Sequence, residues 1–323
     1  MGPHLYSAVM SSASLTTLPT CPDPLARAPR ATHRGQLPHA RLYPAPPALQ
    51  GALVAIVCRD TRGFTLNDAQ RLTHCPATPL VSLSWYRNLD TGLVERTAHG
   101  PRWQPFDAPV MLSGSQSAPL TSWAPTTGSG GMACFTADAA RALFGVDLAA
   151  IHDRFVDAHA LLGDAWRPLL DALSDADDDT AVRDALVHHL APRWRALQLQ
   201  GDGSALASLR DAGRHWVGRL AWQAREWGRT HSPRQVERRI KSWSGRSLRD
   251  WQALVRAESL FFAARERYET GMPFDWAGLA HDEGFADQAH LSRVAKRITG
   301  FAPTEFAQRF ADDESFWLYR LWV

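Results

Sequence analysis

The chain has 323 residues, 45% of them hydrophobic and 21% charged, with a net charge of +2. That length suits two folded domains with sizeable cores, and no apolar run approaches the ~18 residues of a membrane span. The start of the chain lacks a basic-then-apolar leader, and four scattered cysteines (Cys21, Cys58, Cys75, Cys134) without a CxxC pair argue against structural zinc or a disulfide framework, so a reducing cytoplasm is expected.

In chain order, residues 1–40 are rich in Pro, Ala, Ser and Thr without apolar periodicity, which predicts a disordered tail or an upstream extension of the reading frame. Short apolar stretches follow: ALVAIVC (Ala52–Cys58), LVSLSWY (Leu80–Tyr86), PVMLSG (Pro109–Gly114) and GMACFT (Gly131–Thr136). Their length, β-branched content and turn-residue boundaries predict strands of an antiparallel sheet or barrel. From Ala137 the pattern turns helical, with one amphipathic helix expected over Arg154–Leu173 and another over Asp177–Leu197. The QGDGS segment (Gln200–Ser204) reads as a linker. The expected organisation is a tail (1–40), a β-rich domain with trailing helices (41–200) and an all-helical domain (204–323).

The helical domain contains an internal repeat. An offset of 55 relates Val236 to Leu291, Arg238 to Arg293, Trp243 to Ile298, Gly245 to Gly300 and Trp251 to Phe306. It also relates the chain's two lysines, Lys241 and Lys296. In the second copy Asp275 can cap a short helix with Trp276, Leu279 and Ala280 on its inner face, which Gly284 ends. Asp287 then caps a second helix burying Leu291, Ala295 and Ile298, with Gly300 as terminator. In the first copy a helix through Leu220, Ala224 and Trp227 meets Gly228. Ser232, Pro233 and Gln235 then form an S-x-x-Q start, with Val236, Ile240 and Trp243 facing inward. Helix, short Gly-containing turn, helix is the layout of a helix-turn-helix unit.

The outward faces carry Arg234, Glu237, Arg238 and Lys241 in the first copy, and Ala289, His290, Arg293 and Lys296 in the second. Arginines on such a face can bond guanine edges in the major groove, while lysines meet phosphate. Residues 204–260 hold 12 Arg+Lys against 5 Asp+Glu (+7), whereas residues 261–323 hold 7 against 10 (−3), so the cationic excess sits with the first copy. Ser247–Gly271 reads as one helix of roughly 20 residues, about 30 Å long. That is close to the ~34 Å between successive major grooves on one face of B-DNA.

The segments SPRQVERRIKSWSGRSLRDWQALVRAESLFFAA and GFADQAHLSRVAKRITGFAPTEF resemble the DNA-binding domain of AraC/XylS-type bacterial transcription regulators. The matches are Gly284-Phe285, Asp287, Arg293, Lys296, Gly300 and Pro303, with Arg238, Lys241 and Gly245, over roughly residues 209–320. The resemblance implies base contacts from Arg234, Glu237 and Arg238 in the first unit and from Ala289, His290 and Arg293 in the second. It implies double-stranded DNA, RNA polymerase, a small-molecule effector and a second copy of the chain as partners, and transcription regulation, not catalysis, as the task. Two positions depart from the family: Ala295 and Ile240 stand where a Phe is usual, with Trp243 and Trp251 placed to compensate. Arg239 and Arg297 are expected at the surface or in ion pairs.

A weaker resemblance, over Arg41–Asp60 and Ala133–Gly163, implies a cupin-like N-terminal sheet or barrel followed by helices. The expected fold class is therefore α+β, with two helix-turn-helix units joined by a long helix. Trp85, Trp103 and Trp123 are candidates for an effector pocket, with core packing as the competing role. His74 and His99 are expected in loops. His188 and His189 are expected to point apart, and His152 and His159 to lie two turns apart on one helix, so no metal or cofactor is expected. Cys134 reads as a buried small hydrophobe. Two other readings stay open at this level: an enzyme with a catalytic β-domain, for which no nucleophile or carboxylate pair is visible, and a protein-binding module or latent DNA binder controlled by another protein.

Overall fold

The computed structural model describes residues 19–31, 37–198, 209–256 and 288–321. Among the described residues, ten strands form two antiparallel sheets. They are β1 (His39–Pro44), β2 (Leu53–Asp60), β3 (Leu72–Cys75), β4 (Val81–Arg87), β5 (Gly92–Thr97), β6 (Gly100–Pro105), β7 (Val110–Ser113), β8 (Leu120–Trp123), β9 (Ser129–Phe135) and β10 (Phe155–Asp157). One sheet has the order β1-β2-β9-β4-β7-β10, the other β3-β8-β5-β6. This is the β-rich N-terminal part the sequence leads one to expect.

Alternation along β4 shows how the larger sheet is used. Val81, Leu83 and Trp85 point to one face and join the main core with Phe135 and Leu112. Ser82, Ser84 and Tyr86 point to the other, into a space between the sheets. The apolar face is covered by helices α1 (Ala137–Phe144), α4 (Arg167–Asp175) and α5 (Asp179–Gln198), through Ala140, Leu143, Leu170, Leu173, Leu186 and Leu190. Thr136 caps α1 by accepting from the Ala139 N–H, and Gly145 ends it in the left-handed conformation at φ 68°.

Between these helices lie α2 (Leu148–Ile151) and α3 (Ala158–Leu162). The single helix expected over Arg154–Leu173 is therefore broken. Phe155–Asp157 pair with Ser113, Leu112 and Met111 as an edge strand, and Gly163 at φ 71° separates α3 from the turn that leads into α4. The apolar spacing continues through the break because β10, α3 and α4 all pack on the same core.

The C-terminal part is helical: α6 (Leu209–Gly228), α7 (Pro233–Ser244), residues 248–256, α8 (Gln288–Thr299), α9 (Pro303–Asp312) and α10 (Trp317–Leu321). The remainder of the expected spacer helix, and the helix expected from Asp275 to Gly284, lie outside the described residues. Trp216, Leu220, Ile240, Trp251 and Ile298 belong to the same core cluster as the helices behind the larger sheet, so the β-rich and helical parts share one continuous core.

Residues 19–31 are not a free tail. Cys21, Ala28 and Ala31 are buried, Pro29 bridges Asp313, and Arg309 donates to the carbonyls of Leu25 (2.6 Å) and Ala26 (3.2 Å). Much of this stretch is held through its main-chain carbonyls, which leave no side-chain periodicity to read.

Candidate nucleic-acid interface and the cavity behind it

Helix α7 starts where its capping chemistry dictates. Gln235 Oε1 accepts from the Ser232 backbone N–H at 2.9 Å and from its hydroxyl at 3.1 Å, and Pro233 takes the first helical position. Gly245, at φ 81°, closes the helix by donating its N–H to the Lys241 carbonyl at 2.8 Å. Ile240 is buried, with Val236 and Trp243 packed beside it. Arg234, Glu237, Arg238 and Lys241 are all exposed.

Helix α8 repeats the plan. It is 12 residues long, as α7 is, and both of its bounds are shifted by 55. Leu291, Ala295 and Ile298 are buried, and Gly300, at φ 84°, donates to the Lys296 carbonyl at 2.8 Å. Ala289, Arg293 and Lys296 are exposed and His290 is half-buried. The structure thus places each group of candidate contact residues along one side of one helix, ~18 Å long at 1.5 Å per residue.

Tryptophans pack under α7 beside Ile240. Trp243 stacks on Trp216 at 5.4 Å between centroids and 29°, and the fully buried Trp251 meets Trp216 edge-on at 5.6 Å. Trp251 Nε1 donates to Ser244 Oγ at 3.0 Å, tying the end of α7 to the helix after it. Arg239 lies over the Trp227 ring at 5.7 Å, a packing role. Under the second unit Phe301, Phe306, Phe310, Phe316 and Tyr319 form a separate aromatic cluster.

A cavity of about 180 Å³ lies between the two sheets. Its wall includes Tyr86, Phe106 and Phe155, which stack in sequence at 5.6 and 5.0 Å with interplanar angles of 27° and 24°. Ser82, Ser84 and Ser122 line it from the strands, and Ile298, Trp317 and Leu318 reach it from the helical part. Among the described residues, its charged lining residues are Arg59 and Arg71.

Arg59 donates to Glu314 Oε1 at 2.9 Å and lies 4.5 Å from the centre of the Trp317 ring. Burial, opposed by Glu314 and reinforced by Arg320, lowers its pKa to about 10, so it stays charged at neutral pH. The Nε atoms of both arginines are buried and have no hydrogen-bond partner among the described residues. Composition and spacing did not single out Arg59 or Arg71. For Arg59, on β2, a charged residue at an inward-facing strand position was the available signal; Arg71 lies in the turn before β3 and offered none.

The tryptophans proposed for a pocket lie elsewhere. Trp85 is fully buried on the opposite face of the larger sheet. Trp103 and Trp123 meet edge-on at 5.5 Å in a satellite core with Leu72, Val94 and Cys21. None of the three lines the cavity.

The histidines also differ from expectation. His74 is on β3 and buried, not in a loop. His188 and His189 do not point apart: their rings meet edge-on at 4.8 Å. His152 caps the end of α2 while His159 lies on α3, so they do not share a helix. Among the described residues no group of His, Cys, Asp or Glu could hold a metal ion, and no helix is long and apolar enough to cross a membrane.

No protein-family model matches the chain, and no curated protein matches it in sequence. Among solved structures it is similar to ToxT of Vibrio cholerae. An apo variant from strain SCE256 gives 12% identity and a TM-score of 0.36, over 73% of this chain and 93% of that one. Wild-type ToxT of that strain with bound unsaturated fatty acid gives 14% and 0.35 over the same shares. ToxT of strain O395 gives 11% and 0.35, over 85% and 98%. At that degree of overlap, the functional reading rests on this chain's own residues.

Proposed function

We propose that the chain is a sequence-specific, DNA-binding transcription regulator of the AraC/XylS type, reading two adjacent major-groove segments. One observation carries the reading: α7 and α8 are equal in length, 55 residues apart, and present matched exposed cations, Arg238 with Arg293 and Lys241 with Lys296. Arginines at that position suit bidentate contact with guanine, and lysines one turn further suit phosphate. Arg234 and Glu237 extend the first reading face, and Ala289 and His290 the second. The first unit supplies more of the affinity, because the cationic excess lies around it.

The cavity between the sheets supports a small-molecule effector. Its stacked aromatic wall suits a flat or elongated apolar body, and the free Nε edges of Arg59 and Arg71 suit an acceptor-bearing or anionic end. No catalytic role is assigned. RNA polymerase and a second copy of the chain are the further partners of such a regulator.

The test is selection from random duplex DNA with the full chain at stated salt. Enrichment of one site with two elements about 10 base pairs apart is expected. Binding that ignores sequence would overturn the reading and favour a protein-binding module.

A further inference from the structure

Both recognition helices end against the same piece of the β-rich part. An α-helix leaves its last carbonyls without partners inside the helix. At the end of α7 the Ser244 carbonyl accepts from His152 Nε2 at 3.0 Å, and near the end of α8 the Ile298 carbonyl accepts from the Ala77 N–H at 2.9 Å. The donors come from two loops that are each tied to the segment following β7. Thr78 and Gln116 exchange backbone bonds of 3.0 and 2.9 Å, Gly114 donates to the Ile151 carbonyl at 3.1 Å, and the segment from Gly114 to Pro119 runs between the two docking points. A Cβ on Gly300 would sit 3.5 Å from Pro119 Cγ.

Ser115 is the centre of the first docking point, and it is fully buried. Its carbonyl accepts from Arg246 Nη2 at 2.8 Å and from the Asp153 N–H at 3.0 Å. Its hydroxyl accepts from Arg246 Nε at 2.9 Å and bonds His152 Nδ1 at 2.7 Å. Because a carbonyl can only accept, His152 must carry its proton on Nε2, so the Ser115 hydroxyl donates to Nδ1. Arg246 also pairs with Asp153 at 3.0 Å. Arg246 comes two residues after the last residue of α7, so the network fixes the end of that helix in position and rotation. The exposed faces of α7 and α8 stay open to solvent while their ends are held.

We infer that the loop from Gly114 to Pro119, with its tie to Ala77–Thr78, sets the separation of the two recognition helices, and that Ser115 and Arg246 are the positioning residues that impose it. The inference rests on the proposed two-groove reading. It makes the β-rich part a gauge of operator spacing, in addition to the covalent connection between the units. The same loops line the cavity through Thr78 and Gln116, so an occupant would touch the gauge itself.

The test takes the full-length protein and the site it enriches, then measures binding to that site and to versions with one or two base pairs inserted between its elements. Wild type is expected to lose tenfold or more per insertion. Ser115→Ala, which leaves every cation in place, and Arg246→Met are both expected to weaken binding to the native spacing several-fold. Both should also shrink the insertion penalty to threefold or less, with unchanged circular dichroism. Unaltered insertion penalties in both variants would overturn the inference, as would tighter binding by either. Weaker binding in Arg246→Met alone, with a shallower salt slope, would make Arg246 a phosphate contact and would also overturn it. A chain that enriches no site at all removes the regulator reading, and this inference with it.

Discussion

Arg238 and Arg293 occupy equivalent turns of equivalent helices, both exposed. If each meets a base edge, replacing either by Ala costs about 1–3 kcal/mol and relaxes preference at one base only, as competition against single-base variants of the site would show. Lys241→Ala and Lys296→Ala should instead weaken all sequences alike, each lowering the slope of log K against log salt by roughly one unit. A lysine variant with altered base preference would reverse these roles.

His74 permits a prediction of a different kind. Burial, with Arg309 nearby, lowers its pKa to about 3, and its ring lies between Phe301 and Phe316 at 5.0 and 5.2 Å. It is therefore neutral when folded, whereas the unfolded chain takes up a proton near pH 6.5. The stability this supplies is complete above pH 6.5 and is lost as pH falls toward 3, at ~1.4 kcal/mol per pH unit through that window. His74→Gln, which keeps a partner for Thr121, should flatten the fall in melting temperature between pH 6.5 and 4. An identical fall in both proteins would rule His74 out as its source.

At the scale of elements, the two helix-terminating glycines are a controlled pair. Both sit near φ 80°, where a Cβ costs about 1–2 kcal/mol. A Cβ on Gly245 would fall 2.0 Å from His152 Nε2, whereas one on Gly300 meets nothing closer than 3.5 Å. Gly245→Ala should therefore destabilise the protein by about 1–3 kcal/mol more than Gly300→Ala, by urea denaturation of the full chain. Equal costs would mean that the end of α7 is not seated against His152.

The same comparison shows what could be read in advance. Caps, i, i+4, i+7 burial and terminating glycines are local, so α7 and α8 were legible to the residue. The strands at Ala52, Leu80, Pro109 and Gly131 were legible because their apolar content is dense. GLVERT and GPRWQP were not, since their exposed outer residues break the pattern. Ser115 and His152 meet Arg246 and Ser244 across 131 and 92 residues, and no short-range signal encodes that. The tryptophans misled because large aromatic residues suit a core and a pocket equally well.

Over the whole molecule, Arg59 and Glu314 join the larger sheet to the C-terminal helices, with side-chain exposures of 11% and 4%. Glu314 also accepts from the Ala31 N–H at 3.2 Å. Removing one member of such a pair strands the other charge, so Glu314→Ala should cost about 3–5 kcal/mol. A loss under 1 kcal/mol in chemical denaturation would show that water reaches Arg59. Because one core runs through both parts, wild type should unfold in a single transition, with fluorescence and circular dichroism coinciding.

The contacts that hold residues 19–31 bear on how the protein is made. Arg309 meets the carbonyls of Leu25 and Ala26 across 284 and 283 residues. A nascent chain can pair its strands while translation continues, and Cys21 can then meet Leu72 and Trp103, but the carbonyls of Leu25 and Ala26 have no Arg309 until α9 has left the ribosome. Closing so long a loop is slow, and it comes after the rest of the chain has condensed. The interval before that closure leaves the buried Arg309–Asp313 pair open to chaperones and proteases.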